Sequence, residues 1–427
     1  MQPHEHHAAE GPRRGMERRW KVLLVVSIAV FMASLDLFIV NIAFPEIARD
    51  FGDADVAELS WVLNAYAIVF AALLVAFGRL ADRLGRKRGF LAGLVLFIAG
   101  SALSGLAPSV ETLVAARVLQ ATGAAALIPT SLALLLPEFD AAERAKAIGI
   151  WAAVGGIAAA AGPPLGGLLV EGSWRLVFLV NVPVGVAAIV FAARVLRESR
   201  DEAAQWPDWL GTAALTTAIG ALALGLVKAP DWGWAATETL ASFAVAALGL
   251  AWFWDRTARH PSPVVDRDML RVRSFALANL AALLFFVAFA AMLLTGVLFM
   301  TGVWGDSALR AGLQLAPGPA MAAVFAALAG RAAERVGQRT LSGTGAAVFA
   351  AGALWWMWQL DAEAGYVTAM LPGMLVTGVG VGLVLPSLAS AAASSLPPRR
   401  FATGSAVFSM SRQIGSVLGV AVLVAIL

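Results

Sequence analysis

The sequence predicts an all-α membrane protein: two six-helix bundles, the second one helix short, with a helix pair inserted between them. Three observations carry that expectation. The chain is 60% hydrophobic and 14% charged, whereas soluble domains run nearer half apolar and a quarter charged. The apolar residues gather in blocks of about twenty, the length a helix needs to cross a bilayer. The basic residues fall between those blocks, and almost all of them in alternate intervals.

Spans are expected at 22–44, 58–79, 89–107, 111–136, 146–170, 175–195, 208–227, 237–255, 275–301, 311–333, 340–359, 367–391 and 402–427. Backbone groups cannot go unpaired in lipid, so each must be a helix. The alternating strand-length segments of a membrane barrel are absent. The first span, Val22–Phe44, is too long for a signal-peptide core and carries Asp36, so it reads as retained. If the N-terminus lies in the cytoplasm, the inner intervals hold 25 Lys and Arg and the outer ones four: Arg49, Arg175, Lys228 and Arg310. That is a strong positive-inside bias. It also excludes nucleic acid as a partner despite a pI near 9.7, because the positive charge is dealt loop by loop to one membrane face.

Residues 1–21 read as a cytoplasmic tail. Its HEHH stretch (His4–His7) reads as disordered polar chain rather than a metal site. With no cysteine there is no disulfide framework and no thiolate metal site.

The stretch GRLADRLGRK (Gly78–Lys87) has an echo at GRAAERVGQR (Gly330–Arg339). Both follow a long apolar span on the inner face, which points to an internal duplication. Transporters are commonly built from such repeated halves, with the substrate site between them. The first bundle is expected over 22–200, an inserted linker pair over 208–257, and a second bundle over 274–427. That second bundle has about five helices, so a fourteenth helix is expected to be missing, through truncation or in nature.

Two ionisable residues lie inside spans of the first half. Asp36 sits in SLDLFIVNIAFP, about 12 Å below the outer surface at 1.5 Å per residue, and Arg117 in LVAARVLQATGAAALIP, about 9 Å below it. A charge at the bilayer centre costs about 2.5–3.5 kcal/mol on insertion scales, so such residues are usually functional. At a shared depth the two are expected to meet across one cavity, with Asp36 a candidate proton carrier; a purely structural ion pair is the alternative. Arg412, in SMSRQIGSVLG, is placed to meet substrate or the other half, or to pack against a carbonyl. Asn41, Trp61 and Tyr66 join it as candidate cavity residues, and Phe285, Phe286 and Phe289 offer a further apolar wall. GIWAAVGGIAAAAGPPLGG holds Gly155, Gly162, Gly166 and Gly167, which let another helix approach closely. Pro163 and Pro164 in the same helix free backbone carbonyls and favour a kink.

No GxxxxGK[ST], HExxH or GxSxG occurs, so neither direct nucleotide drive nor a hydrolytic site is expected. A channel would need rings of charge or carbonyls along a pore, and the spans offer two arginines and one acid instead.

These motifs together resemble the major facilitator superfamily. GRLADRLGRKR is similar to its hallmark loop, LVAARVLQATGAAALIP to its span-four motif with Arg117 and Gln120 in place, and AVGGIAAAAGPPLGG to the span-five motif of its antiporters. LDLFIVNIAFP and SWRLVFLVNVPVG resemble the fourteen-span drug:proton antiporter branch, the EmrB/QacA-like group. Leu37–Phe38 and Ala121–Thr122 depart from that pattern. The resemblance implies the major-facilitator fold in a bacterial cytoplasmic membrane. It implies a proton-coupled exporter of small amphiphilic molecules, with no cofactor beyond the coupling proton and with the bilayer and substrate as partners; a monomer is compatible with the sequence, which leaves the oligomeric state open. Export or import of one metabolite or antibiotic is the nearest alternative. It gives Asp36, Arg117 and Gln120 to proton coupling. Gly78, Asp82, Arg83, Gly85 and Arg86 become a conformational-switch loop, in which Asp82 makes a contact between halves.

Overall fold

The computed structural model describes residues 17–52, 54–201, 204–396 and 401–427. The His4–His7 tail and the basic pair Arg399–Arg400 lie outside those residues. All regular structure in the described residues is helical. The long helices are α1 (Arg18–Asp50), α2 (Val56–Leu84), α3 (Arg86–Gly105), α4 (Val110–Leu135), α5 (Ala141–Gly172), α6 (Asn181–Val195) and α7 (Trp209–Trp232). They continue with α8 (Thr237–Arg259), α9 (Arg273–Leu298), α10 (Pro317–Val336), α11 (Gln338–Gln359), α12 (Leu371–Ser394) and α13 (Phe401–Ile426).

Among the described residues, twelve segments are long and apolar enough to cross a membrane. The remaining expected span is α11, a full helix whose Trp355, Trp356 and Trp358 dilute its hydropathy. Several helices overrun their apolar blocks, α1 reaching from Arg18 to Asp50 against the expected 22–44, because a helix continues into polar flanks once lipid has set its core. Two expected spans are broken. The segment 175–195 divides into a turn of helix, Leu176–Leu179, followed by α6, and 311–333 divides into Ala308–Leu315 and α10. The second break falls at Pro317, which lacks the amide an unbroken helix requires. The kink expected at Pro163–Pro164 does not interrupt α5, which is one helix throughout.

The duplication extends well past the two echoing loops. Gly85 ends α2 at φ +127° and Gly337 ends α10 at φ +83°, a backbone region that favours glycine. The Gly85 amide donates to Ala81 O at 2.8 Å, and Gly337 to Ala333 O at 3.1 Å. Eight and fifteen residues later come Gly93 and Gly100 on α3, and Gly345 and Gly352 on α11. Gly93 lies against the Gly123 carbonyl of α4, and Gly345 against the Gly380 carbonyl of α12. Gly100 faces Gln120 and Gly352 faces Thr377; Gly123 and Gly380 in turn face the amides of Phe97 and Phe349. The pair α3–α4 is therefore repeated as α11–α12, with Met374 standing where the first half has Arg117 and Thr377 where it has Gln120.

The halves meet where α2 lies on α13 and where α5 lies on Ala308–Leu315. At the second contact Gly167 touches the backbone of Ala308 and Leu309, and Gly312 touches the Pro163 carbonyl. Small residues let these backbones approach without a water-driven hydrophobic force. The inserted helices α7 and α8 pack on each other, with α7 also against α2 and α13.

This packing predicts a sharp positional contrast. Gly100→Ala drives a methyl into the Gln120 backbone, and overpacking of this kind costs about 1–3 kcal/mol. Gly156→Ala meets nothing within 4 Å. Thermal unfolding of the purified chain in detergent should show a clear loss for the first and none for the second.

Candidate functional site

Asp36 and Arg117 meet inside the first bundle. Asp36 is 0% exposed and Arg117 1%. Arg117 Nη1 donates to Asp36 Oδ2 at 2.5 Å and to Gln120 Oε1 at 2.7 Å, and its Nε donates to Val62 O at 3.3 Å. Gln120 Nε2 donates to the second carboxylate oxygen, Asp36 Oδ1, at 2.8 Å. The i, i+3 spacing of Arg117 and Gln120 puts both on one face of α4, so each holds one oxygen of the same acid. The Arg117 guanidinium also lies 4.1 Å from the Tyr66 ring centroid and 5.5 Å from that of Phe178. Ion pairing, hydrogen bonds and ring faces together replace the water this charge has lost.

The pair does not line an open cavity. The expectation of a shared vestibule is corrected here: α1 turns Asp36 inward among buried neighbours. Its half-buried residues form a separate stripe that includes Phe31, Ser34, Phe38 and Asn41. Asn41 donates to Leu37 O at 3.0 Å and stays on that stripe. Tyr66 is corrected too. It is fully buried beneath Arg117 and belongs to the charge cluster rather than to a cavity wall. Trp61 is half-buried and packs against the core.

Two residues of the cluster escaped the sequence reading. Ser101 on α3 accepts from Gln120 Nε2 at 3.2 Å and from Asn181 Nδ2 at 3.0 Å, and donates to Phe178 O at 2.8 Å. Ser101 and Asn181 thereby fix the Gln120 amide from behind. The only signal was a polar residue inside an apolar run: Ser101 next to Gly100, and Asn181 within SWRLVFLVNVPVG.

The basic loop is held by the linker between α6 and α7. Glu198 accepts from the amides of Lys87 and Arg88 at 3.1 and 3.2 Å, filling the open donors at the start of α3. Arg83 donates to Ala204 O at 2.7 Å and lies 4.7 Å from the Trp206 ring centroid. Arg79 holds Ser262 through both its carbonyl and its hydroxyl, at 2.7 and 2.6 Å. Asp82 pairs with Arg86 at 2.7 Å, and its carbonyl accepts from the Asp201 amide at the same distance. Among the described residues, the contacts of Asp82 run to its own loop and the linker. Gly78 lies against Pro129 of α4.

On α5 the motif glycines divide by depth. Gly162 and Gly166 rest on Phe38 and Ile39 of α1, and Gly167 on the short helix of the other half. Gly155 makes only ordinary contact with Ser34 Oγ, at 3.6 Å, and Gly149 and Gly156 have nothing within 4 Å. The helix is therefore close-packed at its C-terminal end, whereas its N-terminal end leaves room beside the glycines and is tied by side chains, Trp151 to Ser131 Oγ at 3.0 Å and Glu143 to Arg19 at 2.5 Å. Among the described residues no cluster of His, Cys, Asp and Glu could hold a metal.

Comparison with known proteins places this arrangement. Residues 26–208 and 209–420 match the Major Facilitator Superfamily. The multidrug resistance protein Stp of Mycobacterium tuberculosis is 35% identical, over 95% of this chain and 75% of its own length. The tetracenomycin C resistance and export protein of Streptomyces glaucescens is 35% identical, over 97% of this chain and 77% of its own. Among solved structures, the human organic anion transporter MFSD10 (TETRAN) superposes with a TM-score of 0.66 at 14% identity, covering 96% of this chain and 93% of that one. That last likeness speaks for the fold. The chain belongs to the Major Facilitator Superfamily and is a multi-pass membrane transporter rather than an enzyme.

Proposed function

We propose that the chain is a proton-coupled exporter of amphiphilic small molecules, working by alternating access in a bacterial cytoplasmic membrane with its N-terminus inside. The positive-inside count supports that orientation, and the motifs support the fourteen-span drug:proton antiporter branch. Relatives named for multidrug resistance and for tetracenomycin C export agree with the direction of transport. The narrower name keeps a single-compound cargo as the second reading.

The observation that carries the proposal is the sealed Asp36–Arg117–Gln120 cluster. A carboxylate there is stable only while its guanidinium stays in reach. A proton on Asp36 removes the countercharge that holds Arg117, leaving Gln120 Oε1 and the Val62 carbonyl as its acceptors. Protonation thus changes how α1, α2 and α4 are tied together, and the half-buried stripe of α1 moves with Asp36. The close packing of α5 on Ala308–Leu315 fits a chain with one gate closed. Movement of one charge across 100 mV supplies about 2.3 kcal/mol, enough to bias such an equilibrium about fiftyfold.

In proteoliposomes, an imposed pH gradient should drive saturable accumulation of a fluorescent amphiphile; gradient-independent, non-saturable flux would favour a channel. Asp36→Asn should abolish that accumulation. It also strands a buried cation, which typically costs about 3–5 kcal/mol. Adding Arg117→Met should therefore recover much of the thermal stability without recovering coupling. Full accumulation in the double variant would remove the pair from the mechanism. Asp82→Asn frees Arg86, and the ratio of inward to outward accessibility of engineered cysteines should shift at least twofold. An unchanged ratio would reduce the loop to a topological charge cluster.

A further inference from the structure

The second bundle holds a guanidinium with none of these partners. Arg412 lies eleven residues into α13, about 16 Å along at 1.5 Å per residue, near the middle of the helix. Its Nε is buried with no hydrogen-bond partner, and among the described residues no acid pairs with it. The Cζ atom stands 4.6 Å from the ring centroid of Phe286. That ring adjoins Phe285 at 6.2 Å and Phe289 at 5.5 Å, and Phe285 reaches Phe349 of α11 at 5.0 Å. The neighbouring Gln413, itself buried, has an amide nitrogen without a partner.

The helix shows which way this residue faces. Ser405, Ser409, Arg412 and Ser416 recur every three or four positions and are all half-buried. Met410, Ser411, Gln413, Ile414 and Gly415 between them are buried. A polar stripe in a membrane helix faces protein or a wet cavity, not lipid. So Arg412 is half-buried as a residue, with its Nε sealed in protein. Arg117, in the other half, shows what this chain supplies to a fully buried guanidinium within its own fold: an acid, an amide and a carbonyl. Among the described residues the compensation for Arg412 is the ring face of Phe286, and a desolvated charge needs more than a ring face.

We propose that Arg412 and the phenylalanine face beside it recognise the anionic group of a planar aromatic cargo, an aromatic carboxylate or phenolate. The guanidinium fork matches a carboxylate through two parallel hydrogen bonds, while the flat body lies against half-buried Phe289, with the buried Phe286 ring holding the guanidinium from behind. This rests on the exporter reading and narrows its substrate class.

The test is equilibrium binding to the purified full chain in detergent, read by quenching of its tryptophans. The probes are 2-anthracenecarboxylate and its uncharged analogue 2-anthracenemethanol. The wild-type chain should bind the carboxylate at least tenfold more tightly than the alcohol. Arg412→Gln should erase that preference, and Arg412→Lys should restore part of it, since an ammonium keeps the charge but not the fork. Equal affinities of the wild-type chain for the two probes overturn the proposal without any variant. So does a preference that survives Arg412→Gln. The measurement uses no gradient, so its outcome is separate from that of the pH-driven accumulation assay.

Discussion

The first bundle is organised around one ion pair. Asp36 and Arg117 are removed from water completely, and neither is tolerable alone at that depth. Much of the surrounding architecture follows. Arg117 needs a third acceptor, so it reaches the Val62 carbonyl of α2. Asp36 needs its second oxygen satisfied, so Gln120 stands one turn from Arg117. Gln120 must not rotate, so Ser101 of α3 accepts from its amide, and Asn181 of α6 holds Ser101 in turn. Gly100 has no side chain because Gln120 occupies that space. Helices α1, α2, α3, α4 and α6 thus share one polar knot at a point where lipid offers no hydrogen bonds.

The knot also separates two tasks that the sequence seemed to merge. Asp36 and Asn41 are near neighbours on α1, yet Asp36 is sealed and Asn41 lies on the half-buried stripe. A substrate on that stripe would not touch the acid. Under the proposed proton coupling, the two would communicate mechanically, through one helix with the acid on its buried side and a half-buried stripe on the other. This asks less of specificity than direct competition for one carboxylate would, and it suits a transporter whose cargo varies.

Much of the fold was legible in the sequence because lipid enforces it. Apolar blocks must be helices, and the basic intervals sort their ends; only α11 with its indoles, and the breaks before Asn181 and at Pro317, blur the pattern. The meeting of Asp36 with Arg117 was legible as well, because two lone opposite charges at one depth have few other partners. What depth does not reveal is the direction of a side chain around its helix, which is why a sealed pair read as a vestibule and Tyr66 as a cavity wall. Ser101 was hidden for a different reason: one hydroxyl in an apolar run is unremarkable until the Gln120 amide is seen above it. The linker contacts of the basic loop were hidden too, because Glu198 lies more than a hundred residues from the amides it accepts from.

The duplication sharpens the contrast between the halves. Gly93, Gly100 and Gly123 have counterparts in Gly345, Gly352 and Gly380, with the same backbone approaches. Packing was therefore retained, whereas Arg117 and Gln120 correspond to Met374 and Thr377. Thr377 donates to Met374 O in its own helix at 3.0 Å and leaves α12 without a charge to balance. The second half carries its guanidinium elsewhere, on α13 and beside aromatic rings. A cation surrounded by its own acid is finished within the protein; a cation set against phenyl faces is not. On this reading, duplication supplied two scaffolds of one shape. The first closed its polar site around a proton-carrying acid, and the second left its own open for a guest with charge and flat apolar surface.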